Sequence, residues 1–151
     1  MRLVIILIAA LAFPTIANAQ LPDDEVKRLA YAFAEAKKAR QQPDTTVEDI
    51  DHFLSLLAEP FVDEHLKYDV VITDRAELRE GMIRKMEDDI IKSDLSVDEL
   101  LIGPNVAFVK ISERVTLRRS PDENYFDYVG TSVISLEFND DGLITRIRRH
   151  Q

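Results

Sequence analysis

The strand-like run that begins at Val106 contains one residue out of pattern. Ala107, Val109, Ile111, Val115 and Leu117 alternate with Lys110, Ser112, Arg114, Thr116 and Arg118, and Glu113 falls in the apolar set. A period of two puts alternate side chains on one face of a sheet, so Glu113 shares the apolar face with Ile111 and Val115. Desolvation there favours the neutral acid unless an Arg or several donors meet it. A carboxyl so placed in a pocket is a candidate acid or base. The competing reading is structural: a β-bulge that turns Glu113 outward, or an ion pair with an Arg.

A second group lies in Val62-Asp63-Glu64-His65-Leu66-Lys67-Tyr68-Asp69. An imidazole among carboxylates can serve as a base near neutral pH. Asp63 and Asp69 could orient His65 or act themselves, and Tyr68 could donate a hydrogen bond. The bland alternative is a solvated loop rich in charge. Asp63, His65 and Asp69 lack metal-ligand spacing, so no metal is expected there.

Other polar residues carry weaker signals. Ser132 shares a strand face with Tyr128, Ile134, Leu136 and Phe138, which points its hydroxyl inward. A Ser nucleophile needs a partnered base and a sharp turn, and neither is visible. Tyr128 on that face reads first as packing. His52 falls on a polar helix face with Glu48, Ser55 and Glu59 and is expected to be exposed; His150 is expected to fray. Arg114, Arg118 and Arg119, with Arg146, Arg148 and Arg149, gather at one end of neighbouring strands. They would make either a patch for an anion or, as preferred, cross-strand pairs with Glu137 and Asp127 on the outer sheet face.

Composition narrows what such groups can do. The chain has 151 residues, enough for one domain, with 46% hydrophobic residues and a formal net charge of −9. An acidic balance argues against a general grip on nucleic acid. No Cys is present, which excludes disulfides, thiol nucleophiles and Cys-rich zinc sites. Only four Gly occur and no Gly-rich phosphate loop, so no nucleotide cofactor is expected.

The first residues read as an address. Met1-Arg2, the apolar run 3–13 and the end Ala17-Asn18-Ala19 fit a secretory signal peptide cleaved after Ala19. The run is well short of the ~20 residues that span a bilayer. Segment 1–19 is therefore read as a leader and 20–151 as a single domain, periplasmic or secreted, with no membrane span once the leader is removed.

The elements that must position the candidate residues follow from periodicity. A helix is expected over 22–42, with Asp23, Asp24 and Glu25 first and Lys37, Lys38 and Arg40 last, as the helix dipole prefers. A second starts at Thr45-Thr46, with Thr45 and Glu48 as a capping box. Its stripe is Val47, Ile50, Phe53 or Leu54, Leu57 and Phe61, and Pro60 stops it. A third starts at Asp74, with Leu78, Met82, Met86 and Ile90 on its apolar face. The period then falls to two, giving strands over 106–118, 125–138 and 143–149, a weaker one over 95–102 and a short one over 67–72. Asn139-Asp140-Asp141-Gly142 is a hairpin turn. Helices followed by an antiparallel meander make the chain α+β.

This order resembles the NTF2-like superfamily, which includes ketosteroid isomerases and SnoaL-like polyketide cyclases. The resemblance is carried by Leu56-Leu57-Ala58-Glu59-Pro60-Phe61-Val62, by Thr73-Asp74-Arg75-Ala76-Glu77-Leu78-Arg79, and by the closing run from Val133 through Asn139-Asp140-Asp141-Gly142 to Ile147. It implies a cone: about three N-terminal helices packed on a curved antiparallel sheet around a pocket, often paired through the outer sheet face. Carried over position by position, the isomerases' general-base Asp falls at His65, their proton-donating Asp at Ile134 and their oxyanion-hole Tyr near Phe33. Phe33 and Ile134 offer no hydrogen-bond donor to a developing enolate, which departs from the isomerase pattern.

Two functions remain in view, since a fold hosts many activities. One is a pocket protein that binds a small molecule, apolar or partly polar, with Glu113, His65 and Asp69 available for acid–base chemistry and Tyr68, Phe33, Tyr128, Ser132 and Ile134 contacting the ligand. The other is a non-catalytic module, a homodimer or partner-binding unit that works through its sheet face.

Overall fold

The computed structural model describes residues 20–119 and 124–150, so the expected leader, 1–19, falls outside the described residues. Helix α1, Asp23–Ala39, places acids in its first turn and Lys37 and Lys38 in its last, and buries Val26, Ala30, Phe33 and Ala36. It ends three residues earlier than the sequence suggests. Thr45 belongs to the loop that follows, where its hydroxyl donates to the Ala39 carbonyl at 2.9 Å and accepts from the Gln42 amide at 2.8 Å. The cap of α2, Val47–Ser55, is therefore Thr46. Thr46 Oγ1 accepts from the Asp49 amide, and the Asp49 carboxylate accepts from the Thr46 amide at 2.8 Å. This corrects the Thr45/Glu48 box by one residue.

The larger correction concerns 56–61. Leu57 and Phe61 fit a helical stripe, but the chain leaves the helix at Leu56 and forms β1, Leu57–His65. Two contacts from elsewhere in the chain decide it. Ile144 donates its amide to the Leu56 carbonyl at 2.8 Å. The Arg75 guanidinium donates to the carbonyls of Leu54, Leu57 and Ala58 and to the Glu59 carboxylate. The last carbonyls of α2 are thereby satisfied outside a helix.

After a 3₁₀ turn at Leu66–Tyr68 comes β2, Val70–Ile72. Helix α3, Arg75–Arg84, starts where expected, with the Asp74 carboxylate accepting from the Glu77 amide at 2.9 Å. It does not reach Ile90: Met86 lies in a second 3₁₀ turn, and Ile90 lies in β3, Asp89–Gly103, opposite Leu117. Strands β4, Val106–Arg119, and β5, Asn124–Phe138, match the sequence reading closely. Strand β6 is Ile144–His150, and His150 is paired with Val133 within it and so is not frayed.

The six strands lie in the order β2-β1-β6-β5-β4-β3. All neighbours are antiparallel except β1 and β6, which run parallel. In the turn before β6, Asn139 Oδ1 accepts from the amides of Asp141 and Leu143. Gly142 there has φ +76°, and a Cβ on it would stand 3.1 Å from Leu29 of α1, so both conformation and space call for glycine. The three helices cover one face of the sheet, giving the α+β cone. Between them lie Phe33, Phe53, Phe61, Ile111, Leu136 and Ile147, all essentially fully buried. Each such side chain stabilises the fold by roughly 1.5–3 kcal/mol through burial. Phe33 packs on Phe53 with ring centroids 5.6 Å apart.

Candidate functional site

Four elements carry charged residues on faces that are otherwise apolar. On α1 the buried stripe Val26, Ala30, Phe33 continues to Lys37, with Arg40 one turn beyond at the helix cap. On β1 the alternation Phe61, Asp63, His65 faces inward, and Asp63 is fully buried. On β6, Ile147 is followed two residues later by Arg149, which is 6% exposed. On β4 Glu113 faces inward between Ile111 and Val115, as its place in the alternation predicts. Register brings the strands' groups together: His65 lies beside Arg149 in the β1–β6 pair, and Arg149 lies opposite Ile134 in the β5–β6 pair.

These residues line part of a cavity of about 1110 Å³. On the α3 side Ile72, Leu78, Met82 and Ile90 line it, together with the charged Glu77, Arg84, Lys85, Asp88 and Asp89. The sheet contributes Val115, Leu117, Tyr128, Ser132 and Ile134. Such a volume is close to that of small-molecule sites, whose usual range is about 300–1,000 Å³. Tyr128 lies across Gly130, the residue opposite Glu113, so closely that a Cβ on Gly130 would overlap the phenol ring.

The two groups with the strongest case for acid–base work are both held by cations. Glu113 forms an ion pair with Lys37, whose ammonium also donates to Gln41 Oε1 at 2.9 Å. The structural alternative foreseen for Glu113 named an Arg; the partner is a Lys from α1. Burial, opposed by the Glu113 charge, pulls Lys37 down to about 8. Arg149 donates to Asp63 and also to His65 Nε2. A guanidinium can only donate, so Nε2 is the acceptor and the neutral ring carries its proton on Nδ1. Burial first, and then the Arg149 charge, push His65 down to about 4. The imidazole is therefore neutral at pH 7, with its Nε2 lone pair already engaged.

Of the other sequence-chosen residues, Tyr68, Tyr128, Ser132 and Ile134 line the cavity, whereas Asp69 and Phe33 are absent from its lining. Asp69 is exposed, in a left-handed conformation after the 3₁₀ turn, and Phe33 belongs to the core. Sequence reasoning missed Lys37, Arg40 and Arg149. Their signal is present: each cation continues an apolar stripe at helical or strand spacing. Arg149 in particular was grouped with the outer-face arginines, and the structure turns it inward. Arg146 and Arg148 do lie outside but pair with Glu64, Arg118 pairs with Asp89, and Asp127 accepts from Thr116. Among the described residues no group of three or more His, Asp or Glu is arranged to hold a metal ion.

No protein-family model and no curated protein matches the sequence. Solved structures do match the fold. A proposed SnoaL-like polyketide cyclase from Shewanella denitrificans aligns over 83% of this chain and 88% of its own, with TM-score 0.68 and 11% identity. A protein of ketosteroid isomerase-like fold from Catenulispora acidiphila aligns over 82% and 84%, with TM-score 0.62 and 10% identity. An LEH-like epoxide hydrolase from M. tuberculosis aligns over 84% and 82%, with TM-score 0.61 and 16% identity. At these identities the likeness is one of architecture. Three helices on a six-stranded, mostly antiparallel sheet, aligned over more than four fifths of the chain, give this protein the NTF2-like fold.

Proposed function

We propose that the protein is exported and binds a small, largely apolar molecule in its cavity. The observation that carries this reading is the cavity itself, about 1110 Å³, with apolar surface from Leu78, Met82, Val115, Leu117 and Ile134 and a charged inner end at Lys37, Arg40, Asp63 and Arg149. A concave site that offers apolar surface together with convergent polar groups is the usual place for a small ligand. Binding is favoured over catalysis, because Lys37 and Arg149 occupy the two groups, Glu113 and His65, that acid–base chemistry would use. Export rests on the leader pattern over 1–19 and implies a periplasmic or secreted protein.

Ser132 lines the cavity, half-buried on a strand, so a bulky side chain there takes up cavity space. Protein purified from its native compartment is expected to carry a small molecule detectable by native mass spectrometry, and Ser132→Trp to lose it. A wild-type protein that is empty and binds no neutral apolar dye such as Nile red would end the reading.

One observation supports a second role beside the first. Leu101, Phe108, Val129 and Val133 are exposed on the outer face of the sheet, with Leu101 and Phe108 directly opposite one another. The adjoining pair Leu101 and Phe108, with Val133 and Val129 set among Lys110, Ser112 and Arg114, offers apolar anchors in a polar face that suit a second copy of the chain. Phe108→Glu is expected to convert a dimer to a monomer in size-exclusion chromatography with light scattering; a wild-type monomer would dismiss this role.

A further inference from the structure

At the inner end of the cavity three cations, Lys37, Arg40 and Arg149, face two carboxylates, Asp63 and Glu113. Lys37 is matched by Glu113, and Arg149 by Asp63. Arg40 is not matched. Among the described residues its side chain makes no ion pair, and its Nε is sealed from solvent without an acceptor. Its Cζ lies 4.5 Å from the centroid of the Phe53 ring, a contact that fixes the group without neutralising it. Lys85, on the rim of the same cavity and open to solvent, adds another cation with no ion pair among the described residues. These cations act on one another. Burial and then the Arg149 charge bring Arg40 down to about 10. A protein of net charge −9 thus keeps one surplus cation at the inner end of its cavity, while the rim carries Glu77, Asp88 and Asp89 beside Arg84 and Lys85.

We propose that this end binds the carboxylate of an organic acid, with Arg40 as its main partner and Lys85 closing from the rim, while the apolar body lies along Leu78, Met82, Val115 and Ile134. The proposal rests on the ligand-cavity reading and adds the charge of the ligand. A guanidinium presents a planar fork that suits the two oxygens of a carboxylate, and such charge-assisted bonds are the strong ones. A singly charged head fits better than a phosphate. Arg40 caps the C-terminal end of α1, where the helix dipole is negative and opposes a multiply charged anion. An alcohol would leave Arg40 unpaired, and an amine would meet like charge.

The test is calorimetric titration of the purified protein at pH 7 with three ten-carbon probes below their micelle concentrations: decanoate, 1-decanol and decylamine. Decanoate is expected to bind roughly tenfold or more tighter than decanol, the yield of one charge-assisted contact, with decylamine weakest. Arg40→Gln is expected to bring decanoate down to the level of decanol and to leave decanol unchanged. Lys85→Gln, on the open rim and away from the core, is expected to weaken decanoate by a smaller factor with the fold intact, and it decides the matter if Arg40→Gln does not fold. Decanol binding as tightly as decanoate, or decanoate binding unmoved by a folded variant, overturns the charge assignment and leaves the cavity reading standing. Failure of all three probes to bind overturns both.

Discussion

Lys37 and Glu113, 76 residues apart in the chain, meet as an ion pair with 7% and 13% of their side chains exposed. The pair ties the last turn of α1 to the middle of β4 and forms part of the cavity surface. Removing one partner of a buried pair leaves the other charged and unpaired, which costs about 3–5 kcal/mol, whereas replacing both with apolar groups is often neutral. Glu113→Gln is therefore expected to lower the urea midpoint strongly. The double variant Lys37→Met with Glu113→Leu is expected to recover most of the loss. A Glu113→Gln protein as stable as wild type would show that the pair is not formed in solution.

The same lysine gives a signed pH dependence. Its folded value of about 8 lies below the ordinary 10.5, so the unfolded chain binds more protons between those limits. Stability then rises with pH through that window. Wild-type protein is expected to gain stability relative to Lys37→Gln between pH 8 and 10, read from chemical unfolding curves at each pH.

His65 acts on the acid side. Its folded value of about 4 lies below the ordinary 6.5, so the unfolded chain again binds more protons in between. Its contribution is complete above pH 6.5 and is lost as the pH falls toward 4. The difference in melting temperature between wild type and His65→Gln is expected to shrink over that range, and a constant difference would contradict the placement of His65 against Arg149.

Arg75 is the expected weak point of the α2–β1 junction. It satisfies three backbone carbonyls and one carboxylate with a single planar group, its Cζ 5.8 Å from the centroid of the Phe61 ring. Lys cannot reproduce that fork. Arg75→Lys is expected to cost roughly 1.5–3 kcal/mol, the range for hydrogen bonds to charged groups. Measurement is by denaturant unfolding, where a loss below about 0.5 kcal/mol would show the junction to be held by packing alone.

Gly130→Ala offers a cleaner change in the cavity. The added Cβ overlaps the ring of Tyr128, which is the half-exposed far end of a side chain and can swing away. Stability is expected to stay within about 0.5 kcal/mol, as for surface changes, while affinity for an apolar dye changes. Unchanged affinity would place Tyr128 outside the ligand's reach.

The inward carboxylate was legible because a fourteen-residue strand such as β4 repeats its period often enough to expose one exception. Strand β6, at seven residues, does not, and Arg149 was read with its outward neighbours. Asp63 shows no partner in the sequence, because the spacing of Leu57 and Phe61 continues that of α2 and hides the start of β1. Leu57 and Phe61 fit both periods, and the choice is made by Ile144 and Arg75, far along the chain. The third helix was overextended for a similar reason: Met86 and Ile90 continue its spacing, but Ile90 is claimed by Leu117 across the sheet. Long, regular elements announce themselves; those fixed by distant partners do not.

The place of β6 in the sheet has a consequence for the order of events in folding. Its seven residues come last in the described chain yet fill the slot between β1 and β5. Until they are synthesised, β1 and β5 have no strand to join them and Asp63 has no guanidinium from β6. The bond from Arg149 closes a span of 86 residues, so the step that completes the sheet also closes one of the longest loops. An emerging chain therefore cannot settle early into its final form. It commits to the native sheet, and to a finished cavity, only when the last strand arrives.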